Sequence, residues 1–198
     1  DVDAPDAIFP NNWFSTHSDG RLVLYPMMAP NRRRESSQEI IRWIRSHCGT
    51  LITDDIRSCA ERGRFLEGTG SIVMDHRAHI AYAVESPRTN IPLLRELCTR
   101  IGYRPFVFHC MDAGRNPVYH TNVVLCMGDG CAAVYADGIP EQERRALLQQ
   151  LKSVGRTPVL LRRDQMEAFC GNMLLLRSKS GLLKMLLSAT SWNVLEED

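Results

Sequence analysis

The chain has no apolar run approaching the roughly 18–20 residues that cross a bilayer, which excludes a transmembrane helix. It has no excess of charge. Its 24 Lys and Arg stand against 23 Asp and Glu, so electrostatics offers no case for nucleic acid or an anionic membrane as main partner. It has no CxxC pair. Its seven cysteines (Cys48, Cys59, Cys98, Cys110, Cys126, Cys131 and Cys170) are odd in number and scattered through apolar stretches. That argues against a disulfide framework or a zinc site, and for buried thiols in a reducing, cytosolic setting. The opening Asp1–Asp6 lacks an initiator Met, a basic segment and an apolar segment, so it is no signal peptide and reads as a chain entered partway through. What is present is ordinary globular composition, 44% hydrophobic and 24% charged over 198 residues, enough for one or at most two domains.

Four segments share one layout. Each carries a polar anchor followed by two apolar runs, and the anchors are Asn12, Glu67, His120 and Asn172. Successive anchors are 55, 53 and 52 residues apart, and in the last three segments the second run ends 15 residues after the anchor. Ser18-Asp19-Gly20, Gly128-Asp129-Gly130 and Lys179-Ser180-Gly181 are hairpin turn chemistry between such runs. Helical patterns follow. Ile40, Ile41, Ile44 and Cys48 share a face after Ser36/Ser37 and before Gly49. Leu93, Leu94, Leu97 and Ile101 follow Asn90 and Pro92 and end at Gly102. Leu147, Leu148, Leu151 and Val154 follow Pro140 and end at Gly155. The strands expected next are Thr50–Thr53, Tyr103–His109 and Thr157–Arg162.

The unit is therefore strand–strand–helix–strand, and a period of 52–55 residues predicts an array about an axis. Each amphipathic helix must cover one face of its small sheet. The anchors, as the polar first residues of apolar inner strands, are then expected to converge at one end of that axis and line a central pocket. The chain holds fewer than four full units. It stops at Ser188–Asp198, which reads as the opening of a fourth helix, and this predicts a single domain over 1–198 truncated at both ends.

At these anchors the sequence resembles the guanidino-group-modifying, or amidinotransferase-like, superfamily. It is most similar to the arginine-deiminase-related citrulline hydrolases, with dimethylargininase next. Pro5–Asn12 is similar to P-D-x-x-F-x-E-D, Ala29–Glu35 to A-P-S-R-R-x-E, Leu66–Gly70 to an acidic-G-G-D segment and Ser86–Asn90 to S-x-R-T-N, while His120 begins a stretch like the catalytic-His strand. The resemblance implies an α/β pentein-type propeller of ββαβ modules, about four of five present. It also implies roles: His120 as general acid and then base, and Glu67 as acceptor of the reacting group's N–H. Asp6 would hold a substrate amine, and Arg32 and Arg88 a substrate carboxylate. No metal or organic cofactor is implied. The partner is a small amino-acid substrate, and homodimerisation stays open.

The chain departs from the pattern at Asn11-Asn12, where dimethylargininase carries two acids. An amide cannot neutralise a guanidinium, but it can donate to and accept from a neutral ureido group. The departure favours citrulline, hydrolysed to ornithine, ammonia and carbon dioxide through a covalent Cys intermediate. His120-Thr121-Asn122 also replaces a His-x-Asp, which leaves open what orients the imidazole. None of the seven cysteines stands at an anchor, so the nucleophile is expected outside this chain. Dimethylarginine hydrolysis, arginine deimination and amidino transfer are the alternatives within the enzymes. A non-catalytic pentein binding module is the alternative outside them.

Overall fold

The computed structural model describes residues 6–50 and 52–195. Pro5 of the first motif, Leu51 of the expected strand Thr50–Thr53, and residues 196–198 lie outside the described residues. The elements run β1 (Phe14–Thr16), β2 (Arg21–Leu24), α1 (Pro30–Arg33), α2 (Gln38–His47), β3 (Ile52–Asp55), α3 (Gly68–Ser71), β4 (Val73–Asp75), β5 (Ile80–Val84), α4 (Ile91–Ile101) and β6 (Arg104–Phe108). They continue with β7 (Leu125–Met127), β8 (Cys131–Val134), α5 (Glu141–Ser153), β9 (Thr157–Leu160), α6 (Arg163–Glu167), β10 (Leu174–Arg177), β11 (Leu183–Leu186) and α7 (Ala189–Val194).

These form three sheets of order β1-β2-β3, β4-β5-β6 and β7-β8-β9, and a two-stranded β10-β11 pair. In each of the three, the first two strands pair antiparallel and the third returns parallel to the second after a helix. This is the expected ββαβ unit. Strand β4 lies against β7 and β7 against β10, which sets the modules side by side.

Local chemistry accounts for the boundaries. Ser37 Oγ accepts from the Ile40 N–H and Asn90 Oδ1 from the Leu93 N–H, capping α2 and α4 at orphan donors. Gly102 ends α4 in the left-handed region at φ 73°. Gly20, Gly130 and Gly181 turn three hairpins at φ 80°, 79° and 86°. The second hairpin has no glycine there. His79 takes φ 53°, its Nδ1 within 3.2 Å of the Gly102 carbonyl and its ring stacked on Tyr103.

The core follows strand alternation. In β5, Ala81 and Ala83 join a buried cluster with Leu93, Leu94 and Leu97 of α4. Ile80, Tyr82 and Val84 join Val124, Leu125 and Val134 of the third module. Small residues face the module's own helix and large ones face the neighbouring module. A buried ion pair fastens the same junction: Arg156 donates to both oxygens of Asp75 at 2.7 Å and to the Gly128 carbonyl.

Two expectations need adjusting. On α2 only Ile41 and Ile44 are buried; Ile40 is exposed on the first turn and Cys48 is exposed at the C-cap. The anchors do not begin strands. Asn12 ends a 3-10 turn (Pro10–Asn12), Glu67 precedes α3, and His120 precedes a second 3-10 turn (Thr121–Val123). A helical turn beside each of these three anchors packs more backbone near the centre than a strand would, and α3 rests against the 3-10 turns at Asn12 and after His120.

Candidate active site

Glycine sets the close approach of these turns. A Cβ on Gly68, at φ 38°, would stand 2.5 Å from the Asn11 carbonyl oxygen. A Cβ on Gly70 would stand 2.8 Å from Asn12 Nδ2 and 2.9 Å from His120 Nε2. Three of the four anchors therefore meet around Gly70. Thr121 ties the turns together, its Oγ1 donating to the Ser71 carbonyl at 2.6 Å and accepting from the Val84 N–H.

Glu67 is the electrostatic centre, with a side chain wholly out of solvent. Its Oε2 lies 2.7 Å from His120 Nε2 and accepts from Arg88 Nη1 at 3.1 Å, and its Oε1 accepts from the Met28 N–H at 2.8 Å. Burial alone would raise the carboxyl. The His120 bond, the Met28 N–H and the Arg88 charge outweigh it and hold Glu67 below its ordinary value. An ionised carboxylate only accepts, so the proton in the His120 bond sits on Nε2, and Nδ1 is the nitrogen left to exchange protons. The residue that orients the imidazole, left open by His120-Thr121-Asn122, is thus Glu67, 53 positions away in sequence. That distance hid it.

The other expected residues fall as follows. Arg88 is about a third exposed and its guanidinium lies 5.1 Å from the Tyr119 ring centre. Arg32 is buried: Nε donates to Glu35 Oε1 at 2.7 Å, Nη1 to Asn12 Oδ1 at 3.3 Å, and Nη2 to the Phe9 carbonyl at 2.9 Å. Asn11 is exposed and donates to Thr69 Oγ1. Asp6 opens the turn whose carbonyl accepts from the Phe9 N–H, and its side chain is half-buried. Asn172 is exposed and accepts from Asn122. A cavity of about 470 Å³ lined by Tyr25, Arg33, Asp55, Arg57 and Glu61 includes neither Glu67 nor His120. A hollow of about 300 Å³ adjoins the site through Tyr119 and Val123.

All seven cysteines are free. Burial pushes the Cys98 and Cys126 thiols up to about 11 and Cys110 up to about 12, away from thiolate character. Among the described residues no group of three or more His, Cys, Asp or Glu is arranged to hold a metal ion, and no helix is long and apolar enough to cross a membrane.

Repeated ββαβ modules whose central turns bring Glu67 and His120 together are the pentein architecture of the amidinotransferase-like superfamily. Within it, a family profile described as N,N dimethylarginine dimethylhydrolase, eukaryotic, matches residues 1–198, and the chain belongs to that family. Among solved structures it is similar to the N-terminal domain of ArgZ, an arginine dihydrolase from the ornithine-ammonia cycle in cyanobacteria, bound to product (TM-score 0.68, 15% identity, 86% of this chain and 58% of that one). It is also similar to unliganded AgrE (TM-score 0.69, 16% identity, 87% and 24%). A third is a dimethylarginine dimethylaminohydrolase adduct with S-methyl-L-thiocitrulline (TM-score 0.58, 16% identity, 87% and 59%). The chain thus spans less than two thirds of the length of these structures. No curated protein matches the sequence.

Proposed function

We propose that this chain carries the Glu–His half of a hydrolase that cleaves a C–N bond of a ureido amino acid, citrulline being the substrate its charges suit best. The observation that carries the reading is the filled Glu67 carboxylate. Its charge is already met by Arg88, His120 and the Met28 N–H, so it offers little to an incoming guanidinium. Asn11 and Asn12 supply amides, not acids. A guanidinium here forgoes charge-assisted bonds of roughly 1.5–3 kcal/mol each.

In the reaction, a thiolate adds to the ureido carbon and the C–N bond breaks as the leaving amine takes a proton from His120. The leaving amine is that of ornithine; water, deprotonated by the same imidazole, then releases the S-carbamoyl intermediate as carbamic acid, whose remaining C–N bond breaks spontaneously, so that citrulline plus water become ornithine, ammonia and carbon dioxide. Glu67 keeps Nε2 protonated and the ring oriented. Arg88, bonded to Glu67 through Nη1 and about a third exposed, offers the rest of its guanidinium to the substrate carboxylate, and Asp6 supplies the acid for its amine. The buried thiols Cys98, Cys110 and Cys126 suit no such role, and the nucleophile is assigned to sequence outside these 198 residues.

Dimethylarginine is the second reading, favoured by the family to which the chain belongs. Release of ornithine from citrulline, of ammonia from arginine and of dimethylamine from dimethylarginine by the full-length protein separates them. Citrulline is expected to exceed arginine and dimethylarginine in kcat/KM by about tenfold or more, and His120→Ala to abolish turnover. A tenfold preference for dimethylarginine instead selects the second reading. No turnover of any of the three by intact full-length protein selects a binding module.

A further inference from the structure

The cavity of about 470 Å³ in the first module holds neither Glu67 nor His120, and its volume falls in the roughly 300–1,000 Å³ range of small-molecule sites. Its floor is Tyr25, Pro26 and Met27, all buried. Its charged lining is balanced, with Arg33 and Arg57 against Asp55 and Glu61.

One cation and one anion cancel each other. Arg57 donates through Nε and Nη2 to the two Asp55 oxygens at 2.9 and 2.6 Å, and through Nη1 to the Ser36 carbonyl and hydroxyl. The other two charges are unspent. Glu61, exposed on the 3-10 turn Arg57–Arg62, has no hydrogen bond or ion pair among the described residues. Arg33 gives Nε to the Met27 carbonyl at 2.8 Å and Nη2 to the Met28 carbonyl at 2.9 Å. Its Nη1 and the second N–H of Nη2 have no partner among the described residues. The guanidinium is nonetheless held in place, by those two carbonyls and by the Phe65 ring, whose centre lies 5.6 Å from its carbon.

A guanidinium fixed along one edge keeps its other edge, Nη1 with Nη2, in the fork geometry that a carboxylate takes bidentate. Glu61 is the matching partner for an ammonium. A ligand with both charges satisfies both groups, whereas a lone anion or a lone cation leaves one of them without a partner.

We propose that this cavity is a second ligand site, for a free α-amino acid with a short apolar side chain. The carboxylate sits on Arg33, the ammonium on Glu61, and the side chain over Tyr25, Pro26 and Met27. The site stands behind the segment that supports the catalytic pair, since Arg33 holds the Met28 carbonyl and the Met28 N–H holds Glu67.

The test is calorimetric titration of the full-length protein with L-valine, with isovalerate, which lacks the ammonium, and with isobutylamine, which lacks the carboxylate. L-Valine is expected to bind saturably and about tenfold or more tighter than either counterpart. Glu61→Gln is expected to bring L-valine down to the affinity of isovalerate and to leave isovalerate unchanged. Arg33→Met is expected to remove saturable binding of both. Glu61→Gln alters an exposed side chain without partners, so it decides alone if Arg33→Met does not fold.

Backbone amide shifts locate the ligand. Those of Tyr25, Met28 and Ser58 are expected to move, whereas binding at the catalytic pair moves those of Arg88 and Tyr119. No saturable binding of L-valine overturns the proposal. So does an L-valine affinity that neither variant changes, and so do shifts confined to Arg88 and Tyr119. Equal affinity for isovalerate overturns the amino-acid assignment and makes this a site for simple carboxylates.

Discussion

Replacing Gly70 with alanine separates the site from the fold. The new Cβ would stand 2.8 Å from Asn12 Nδ2, 2.9 Å from His120 Nε2 and 3.0 Å from His120 Cδ2. All three atoms are at side-chain ends, so the clash is relieved by moving the side chains and leaving the backbone in place. Alanine favours the helical turn by about 1 kcal/mol over glycine, while overpacking costs roughly 1–3 kcal/mol. The net change is at most about 2 kcal/mol, or about 4–8 °C in Tm for a chain of this size. The chemistry has less room. Displacing His120 breaks its 2.7 Å bond to Glu67, a charge-assisted contact of roughly 1.5–3 kcal/mol, and general acid–base catalysis is typically worth about 10²–10⁴ in rate.

Gly70→Ala is therefore expected to cut kcat of the full-length enzyme about a hundredfold while it melts within a few degrees of wild type. Gly68→Ala is the contrasting control. There the Cβ meets backbone, 2.5 Å from the Asn11 oxygen and 2.8 Å from the Asn12 oxygen, at a φ of 38°, so stability falls along with activity. The His120 imidazole resonances of the 198-residue chain give a readout independent of turnover. A Gly70→Ala protein with kcat within about threefold of wild type and unshifted His120 resonances would refute the convergence of Asn12 and His120 on this glycine.

Arg156→Met leaves the wholly buried Asp75 carboxylate with only the Arg77 and Ala78 N–H groups as donors, and is expected to cost about 3–5 kcal/mol by chemical denaturation; a loss below about 1 kcal/mol would show that the junction does not rest on this pair. His109 is raised above its ordinary value, chiefly by its hydrogen bond to Glu143, with burial opposing and the charges of Glu143 and Glu85 adding. A raised value means that its stabilisation is complete below about pH 6.5 and is lost as pH rises through the folded-state pKa. Glu143→Gln should lower the His109 midpoint in an NMR titration, and an unmoved midpoint would mean that the contact is not formed in solution.

The sequence alone determined the module and its period. Glycine at left-handed hairpin positions, the Ser37 and Asn90 caps, and apolar faces on α4 and α5 are local signals, carried by a few neighbouring residues whose conformational preferences act before any tertiary contact forms. The register of Asn12, Glu67 and His120 was legible for the same reason, since a repeated unit places equivalent positions at equivalent heights. The sequence showed neither that His79 would turn a hairpin without glycine nor that helical turns stand beside Asn12, Glu67 and His120, because both depend on contacts with Gly102 and Tyr103 or between modules.

The partners were decided by the tertiary structure. Glu67 reaches across 53 residues to His120, Met28 lends its N–H to Glu67 across 39, and Arg32 donates to the Asn12 side chain across 20. A carboxylate, an imidazole and a guanidinium can each pair with many groups. Which pairs form depends on which side chains the packed modules bring within about 3 Å and shield from water, and no spacing along the chain encodes that distance.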